Sequence, residues 1–490
     1  MKKINFLIFI LVSPFCILQA QTVDDALRYS QLNVYGTSRF SAMSGAFGAL
    51  GGDFGASSTN PAGLAIFRSS EFTVTPSVFG KNTSTTFLNQ VRDDNNINLN
   101  FSNIGFVGAN VFEQPTNGWM STAFSVGYNR TNNFDSNVLI AGENQNSSLL
   151  DVFVSQANAR GGLTPERLDP FGALLAYQAN LIFDADTAPN NFRYESDIPN
   201  AGPAGINQRK SIVTSGGMGE LLFSYAGNYD DRLYLGGTIG YSSIRYNYFS
   251  RHHEEALPDT NHILDSFTYT DEFKTSGGGV NLKIGVLYRV FDWLRLGGAV
   301  HTPTFYNLTD TYGNSMTSNF KSGFTFYDTT VSATGSFNYR LTTPMRAIGS
   351  VAFVIARQGL ISADYEFVDY SASRFSATNT DFSNVNTATR ESLTSAGNIR
   401  LGAEWRFDPF AIRAGYSNQG NPYRGGFNNG SINSYSVGFG IREEAFFLDF
   451  AYILAQVRDQ RLFIYDPAFV SPANVNTNTN TIMATFGMRF

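Results

Sequence analysis

The sequence predicts an all-β fold: a 14-stranded antiparallel transmembrane β-barrel with an N-terminal plug inside the lumen. Three observations predict it. Apolar and polar side chains alternate from about residue 71 to the end. Short and long connections alternate between those segments. A stretch of small residues that does not alternate precedes them all. Composition agrees. Phe 44, Tyr 24 and Gly 46 are high for 490 residues, while charged residues make up 15%, against about 25% in an ordinary soluble domain. Mean hydropathy is still slightly negative, at −0.15, as expected when each strand has one apolar and one polar face.

The first element is a targeting segment. Lys2 and Lys3 precede a largely apolar run from Ile4 to Val12, and Leu18-Gln19-Ala20 suits cleavage near Ala20. Residues 1–20 therefore read as a secretory signal, because the run is too short to span a bilayer as a helix. Cys16 is the only cysteine and lies within it. The chain from Gln21 onward then has no disulfide, thiol nucleophile or thiolate metal site. The net charge of −6 becomes more negative once Lys2 and Lys3 are lost, which argues against a nucleic-acid partner. No later run of 18 apolar residues predicts a transmembrane helix.

Residues 21–70 form the expected plug. Thr22, Asp24 and Asp25 suit the start of a short helix. "YGTSRFSAMSGAFGALGGDFGASSTNPAGLA" follows. A phosphate-binding reading of its glycines fails, since no strand precedes them and GxxxxGK[ST] is absent. Small residues instead allow close approach to a surrounding wall, and glycine permits tight bends. Asn60-Pro61 predicts an extended turn, because the residue before proline is pushed out of helical geometry. Asn60, Pro61, Ala62 and Gly63 thus read as a hinge from plug to barrel, placed inside the lumen near its periplasmic end.

Strands occupy residues 71–490. In "NIRLGAEWRFDPFAIRAGYS", Ile399, Leu401, Ala403, Trp405 and Phe407 share one face, and Arg400, Glu404 and Arg406 the other. After the Asp408-Pro409 turn, Phe410, Ile412, Ala414 and Tyr416 oppose Arg413. Short turns are expected near 113–117, 228–231, 290–292, 356–359, 407–409 and 442–445. Long loops are expected near 89–97, 131–210, 251–265, 310–330, 375–395, 418–431 and 459–478. A soluble sandwich does not predict that asymmetry, whereas an outer-membrane barrel does. Residues 131–210 form a cap, with helical spacing in "SLLDVFVSQA" and "PFGALLAYQANLIF". "TIMATFGMRF" closes the chain on an apolar face ending at Phe490.

An enzyme is not expected: GxSxG and HExxH are absent, and no cofactor is predicted. "RHHEEALPDTNH" groups His252, His253 and His262 with Glu254, Glu255 and Asp259. Such groups ligate metal or haem, but in an outer loop they read as solvated charge. The lumen charges Arg295, Arg400, Glu404, Arg406, Arg413, Asp364 and Glu366 are expected to pair across the interior. Arg400, Arg406 or Arg413 can also meet a substrate carboxylate.

The run of Arg39, Ala42, Met43, Gly45, Ala46, Asp53 and Asn60-Pro61-Ala62-Gly63-Leu64 resembles the N-terminal hallmark of the FadL-type outer-membrane transporters of long-chain fatty acids, with Ser41 and Ser44 as departures. "TTPMRAIGSVAF", "LISADYEFVDYS" and "FAIRAGYS" resemble that family's closing half. The resemblance implies that a hatch plugs the lumen, with hydrophobic molecules caught at the outer mouth. It further implies sideways exit through a gap at an inward kink of the third strand, here 118–131, where Gly127 marks a bend. Implied partners are a hydrophobic small-molecule ligand, outer-membrane lipid and the insertion machinery that reads Phe490. Some such barrels instead serve as non-transporting subunits of larger assemblies with protein partners; haem or metal uptake is a lesser alternative.

Overall fold

The computed structural model describes residues 21–186, 188, 191–198, 201, 205–257, 263–321, 328–356, 358–426 and 428–490. The expected signal segment, Cys16, Asp259 and His262 lie outside them. One antiparallel sheet closes on itself. Its strands are β1 (Glu71–Phe87), β2 (Gln90–Thr116), β3 (Trp119–Asn133, resuming as Ser136–Asn144), β4 (Ile206–Tyr229), β5 (Leu233–Ala256), β6 (Leu264–Phe291) and β7 (Leu294–His301 and Phe305–Phe320). They continue as β8 (Asp328–Val331, Gly335–Thr342 and Arg346–Ile355), β9 (Gly359–Asp369 and Arg374–Ser376), β10 (Ser395–Phe407), β11 (Phe410–Gln419), β12 (Ile432–Arg442), β13 (Phe446–Leu462) and β14 (Ala473–Arg489). Pairing of β14 with β1, from Glu71↔Arg489 to Thr86↔Asn474, completes the 14-stranded ring. Closure removes the free edge that lipid cannot hydrate.

The apolar face points outward. Ile399, Leu401 and Ile412 are exposed, whereas Arg400, Glu404 and Arg413 face inward and are buried. The three tryptophans, Trp119, Trp293 and Trp405, all lie beside the short turns, as in the interfacial girdle of such barrels. Trp293 stacks between Phe291 and Phe353. Both ends of the barrel chain are on that side, which is therefore periplasmic.

Four expected loops are corrected. Residues 89–97 are strand: β1 and β2 meet at a two-residue turn, Leu88-Asn89, with φ of 46° and 65°, the left-handed pair that a tight hairpin needs. Within 459–478 the loop shrinks to 463–472; residues 251–256 and 264–265 are strand, and so are 310–320 and 328–330. The cause is length. About 9–11 residues cross a bilayer, whereas β2 has 27, so strands stand well above the membrane, where polar residues face outward freely. The cap is likewise shorter than 131–210. It spans 145–205, with helices Leu149–Ala157 and Ala173–Gln178 over their own apolar core.

Residues 22–70 fill the lumen. Helix α1 (Val23–Ser30) opens with a capping box between Thr22 and Asp25, then α2 (Ser38–Ala42), α3 (Ala56–Thr59) and a 3₁₀ turn (Pro61–Ile66) follow. Most of this segment is buried.

Candidate functional site

The plug is held by polar bonds to nearly every side of the wall. Arg39 reaches Glu404 on β10 with two bonds, of 2.8 and 3.1 Å, and also donates to the Gly52 carbonyl. Glu404 in turn takes Arg413 and Arg406, and Arg413 continues to Asp449 on β13. Gly48 N–H donates to Asp364 on β9, Ser38 N–H to Thr485 on β14, and Ser436 on β12 to the Ala42 carbonyl. The His301 imidazole donates to the Thr59 carbonyl at 2.9 Å. Asp53 is buried and accepts from Thr37 and Gly55 N–H at 2.8 Å. Burial pushes its carboxyl above the usual range. Gly45 holds a turn with φ of 72°.

Asn60 is extended (φ −139°, ψ 99°) and Pro61 begins the 3₁₀ turn. The Asn60 amide donates to Gly48 O at 2.6 Å and to Val286 O of β6 at 3.0 Å, while its oxygen accepts from Ala62 N–H. Both residues press on the wall: a Cβ at Gly285 would meet Asn60 at 1.9 Å, and one at Gly236 would meet Pro61 at 2.5 Å. These wall positions lie on the short-turn halves of β5 and β6. Ala62 and Gly63 are buried too, with Gly63 against Gly51.

Above the plug lies a chamber of about 420 Å³, within the range of small-molecule sites. Phe79 and Lys81 of β1, Phe134 and Asn133 of β3, Tyr246 of β5 and Tyr423 line it, with the plug residues Arg28 and Tyr35 as floor. Tyr35 packs edge-on to Phe79 at 5.1 Å, and burial pushes its hydroxyl up to about 12, so it is a neutral group. The cap is tied to the wall by a carboxylate. Glu254 of β5 accepts from Ser148 and from Leu149 N–H at the start of the first cap helix, where a carboxylate suits the helix end.

The wall beside the chamber is interrupted. The β2–β3 ladder runs from Val111↔Ser121 only to Asn103↔Asn129. Beyond it, β3 breaks after Asn133 and its second segment pairs with β4 alone. That segment turns inward behind β1, whose luminal Thr83 and Thr85 donate to the Asn137 and Leu139 carbonyls. Among the described residues, no strand pairs with the outer edge of β2 over 90–102. The bend is therefore past Gly127, at Phe134-Asp135, opposite Gly216 with φ of 107°. Gly127 serves packing instead: a Cβ there would lie 2.5 Å from Phe54 of the plug and 2.4 Å from the Ile104 carbonyl.

Luminal arginines and glutamates pair across the interior, as expected. Arg400 pairs with Glu366, which also takes Arg346, while Arg406 and Arg413 share Glu404. None of the three lines the chamber, so a substrate carboxylate would have to displace an existing partner. His252 and His253 are neighbours on β5, not loop residues, and point to opposite faces. His252 donates to Glu254 at 2.8 Å, and His253 shares a hydrogen bond with Thr268. Phe490 stacks on Phe106 outside the barrel. Sequence reasoning missed Lys81, which enters the chamber with no ion pair among the described residues, and the asparagines of β2. Their signal was the repeat "NNINLNFSN", whose first three residues fell in the expected loop 89–97.

A closed barrel, an apolar outer band, a plug and an interrupted wall define a plugged outer-membrane β-barrel. Its fold is that of two solved structures. A Pseudomonas aeruginosa FadL homologue matches with a TM-score of 0.56 and 11% identity, over 94% of this chain and 100% of the other. The P. putida toluene transporter TodX matches at 0.53 and 11%, over 94% and 99%. No protein-family model and no curated protein matches the sequence.

Proposed function

We propose that the protein is a passive outer-membrane conduit for hydrophobic small molecules, such as long-chain fatty acids or similar compounds. Entry is at the capped outer mouth, and exit is sideways between β2 and β3. The observation that carries this reading is the chamber's position against the interrupted wall: Asn133 and Phe134 belong to both. The plug blocks the axial route, which leaves the lateral one. Under this reading Arg39, Gly45, Asp53, Asn60, Pro61, Ala62 and Gly63 hold the plug and its hinge. TodX, which shares the fold, is named as a toluene transporter. The unpaired edge of β2 favours a second reading, a subunit that receives a partner's strand, since bare strand edges template pairing.

The test joins the two sides of the gap. Asn98→Cys and Asn133→Cys, in a mature chain with no other cysteine, are linked by a short cleavable bis-maleimide. Uptake of labelled fatty acid into cells that depend on this protein should stop on linking and return on cleavage. Uptake that continues through the linked barrel rules the lateral route out.

A further inference from the structure

On the outside of the barrel, a polar groove lies just above the apolar band. Outward apolar side chains run from Leu235 to Tyr241 on β5 and from Val286 to Val280 on β6, and Tyr241 faces Val280 across the two strands. Beyond that pair the outward residues turn polar. Arg245 and Arg251 of β5 and Glu272 and Lys274 of β6 are all exposed. Lys274 pairs with Asn247 and so stands diagonal to Arg245; Glu272 pairs with Phe249 and stands diagonal to Arg251. Neither arginine nor Lys274 has an ion pair or side-chain hydrogen bond among the described residues. On the β7 side, Glu272 faces Gly313 and Lys274 faces Thr311. There β8 is interrupted, between Val331 and Gly335. The interruption leaves a groove of about 320 Å³, with Glu272 and Lys274 on one side, Gly313 and Thr311 between, and Ser332 on the other.

Position and chemistry together name an occupant. β5 starts at Leu233, so Arg245 follows directly on the roughly 9–11 residues that cross a bilayer. The groove therefore lies in the headgroup layer of the outer leaflet. Three cations around one carboxylate leave an excess of positive charge, and guanidinium and ammonium groups take phosphate. Hydroxyls and a carboxylate take sugar hydroxyls, because between them they supply donors and acceptors. A free phosphate or a plain phospholipid uses only the cations, whereas a phosphorylated sugar uses both sets. We infer that the groove binds the headgroup of a phosphorylated glycolipid. Its phosphate meets Arg245, Arg251 and Lys274, its sugar lies against Glu272, Thr311 and Ser332, and its acyl chains run down over Tyr241 and Val280. This inference needs the outer-membrane placement of the barrel but not the conduit reading.

The test uses the full mature chain in dodecyl maltoside micelles, with binding read by native mass spectrometry. The probes are a rough-type lipopolysaccharide, the same glycolipid with its phosphates removed, phosphatidylglycerol and inorganic phosphate. Wild type should hold the intact glycolipid at least about tenfold tighter than any of the other three, since a lost charge-assisted bond changes affinity by about that factor. Arg245→Gln combined with Lys274→Gln should lower the affinity about tenfold. Gly313→Leu should lower it too, with every charge in place, by filling the groove. A Cβ at Gly313 has its nearest contact at 3.8 Å, on Ser332, so this second variant does not strain the fold. Equal affinity for the dephosphorylated glycolipid, phosphatidylglycerol or free phosphate overturns the inference, as does an affinity unmoved in both variants.

Discussion

The two sides of the lumen are built from different chemistry. On the β8–β13 side, charged groups form closed networks: buried Arg39 and Arg413, with exposed Arg406, around Glu404, and buried Arg346 and Arg400 around Glu366. On the β2–β3 side, neutral amides predominate across the gap, with Arg130 the one charge among the bridging bonds. A buried charge left without its partner costs several kcal/mol, so the first side is locked. An amide swaps partners at little net cost, so the second can yield. The same barrel thus has a charged, fixed face and a neutral, exchangeable one, and the plug is bonded to both, reaching β3 at Asn129 and Asn132.

The comparison breaks first at Glu404. Glu404→Ala strands the buried Arg39 guanidinium and leaves Arg413 with Asp449 alone, and the expected loss is about 3–5 kcal/mol, read as a lower thermal midpoint of the detergent-solubilised barrel by gel mobility. A maleimide should also label Ala42→Cys faster in that background. An unchanged midpoint would mean that the networks do not brace the wall. Next is Gly127→Leu, which forces a side chain into Phe54 and the Ile104 carbonyl. Overpacking of that kind costs about 1–3 kcal/mol. It should lower the midpoint and leave uptake unchanged, because the bend is elsewhere; lost uptake at full stability would return the kink to Gly127. The smallest stability effect is Asn98→Ala, about 1 kcal/mol or less for neutral bonds partly open to water. Its expected signature is an almost unshifted midpoint; a shift as large as that of Glu404→Ala would mean that the amides brace the wall as the charges do.

Most strands were legible because one face of each meets lipid and the other the lumen, so alternation is enforced where the bilayer is. Above the bilayer that pressure ends. "QVRDDNNI" (90–97) and "NVNTN" (474–478) are mostly polar, so they imitated loops although the backbone is strand in both. His252 and His253 were misplaced for the same reason. The kink escaped because glycine is only one way to bend a strand. Here the bend is an interruption at Phe134-Asp135, set by pairing that moves from β2 to β4, and pairing partners are not written in one strand's residues. Likewise, charge on the luminal face was readable at Arg400, Arg406 and Arg413, but the carboxylates that consume them depend on cross-strand register.

Ser70, where the chain leaves the plug, exchanges backbone hydrogen bonds with Phe490, the last residue. The plug also bonds β14 directly, through Ser38 and Thr485. The seam between β14 and β1 and the seat of the plug are therefore one structure: parting those strands would also loosen the bonds that tie the plug to Thr485 and Phe490.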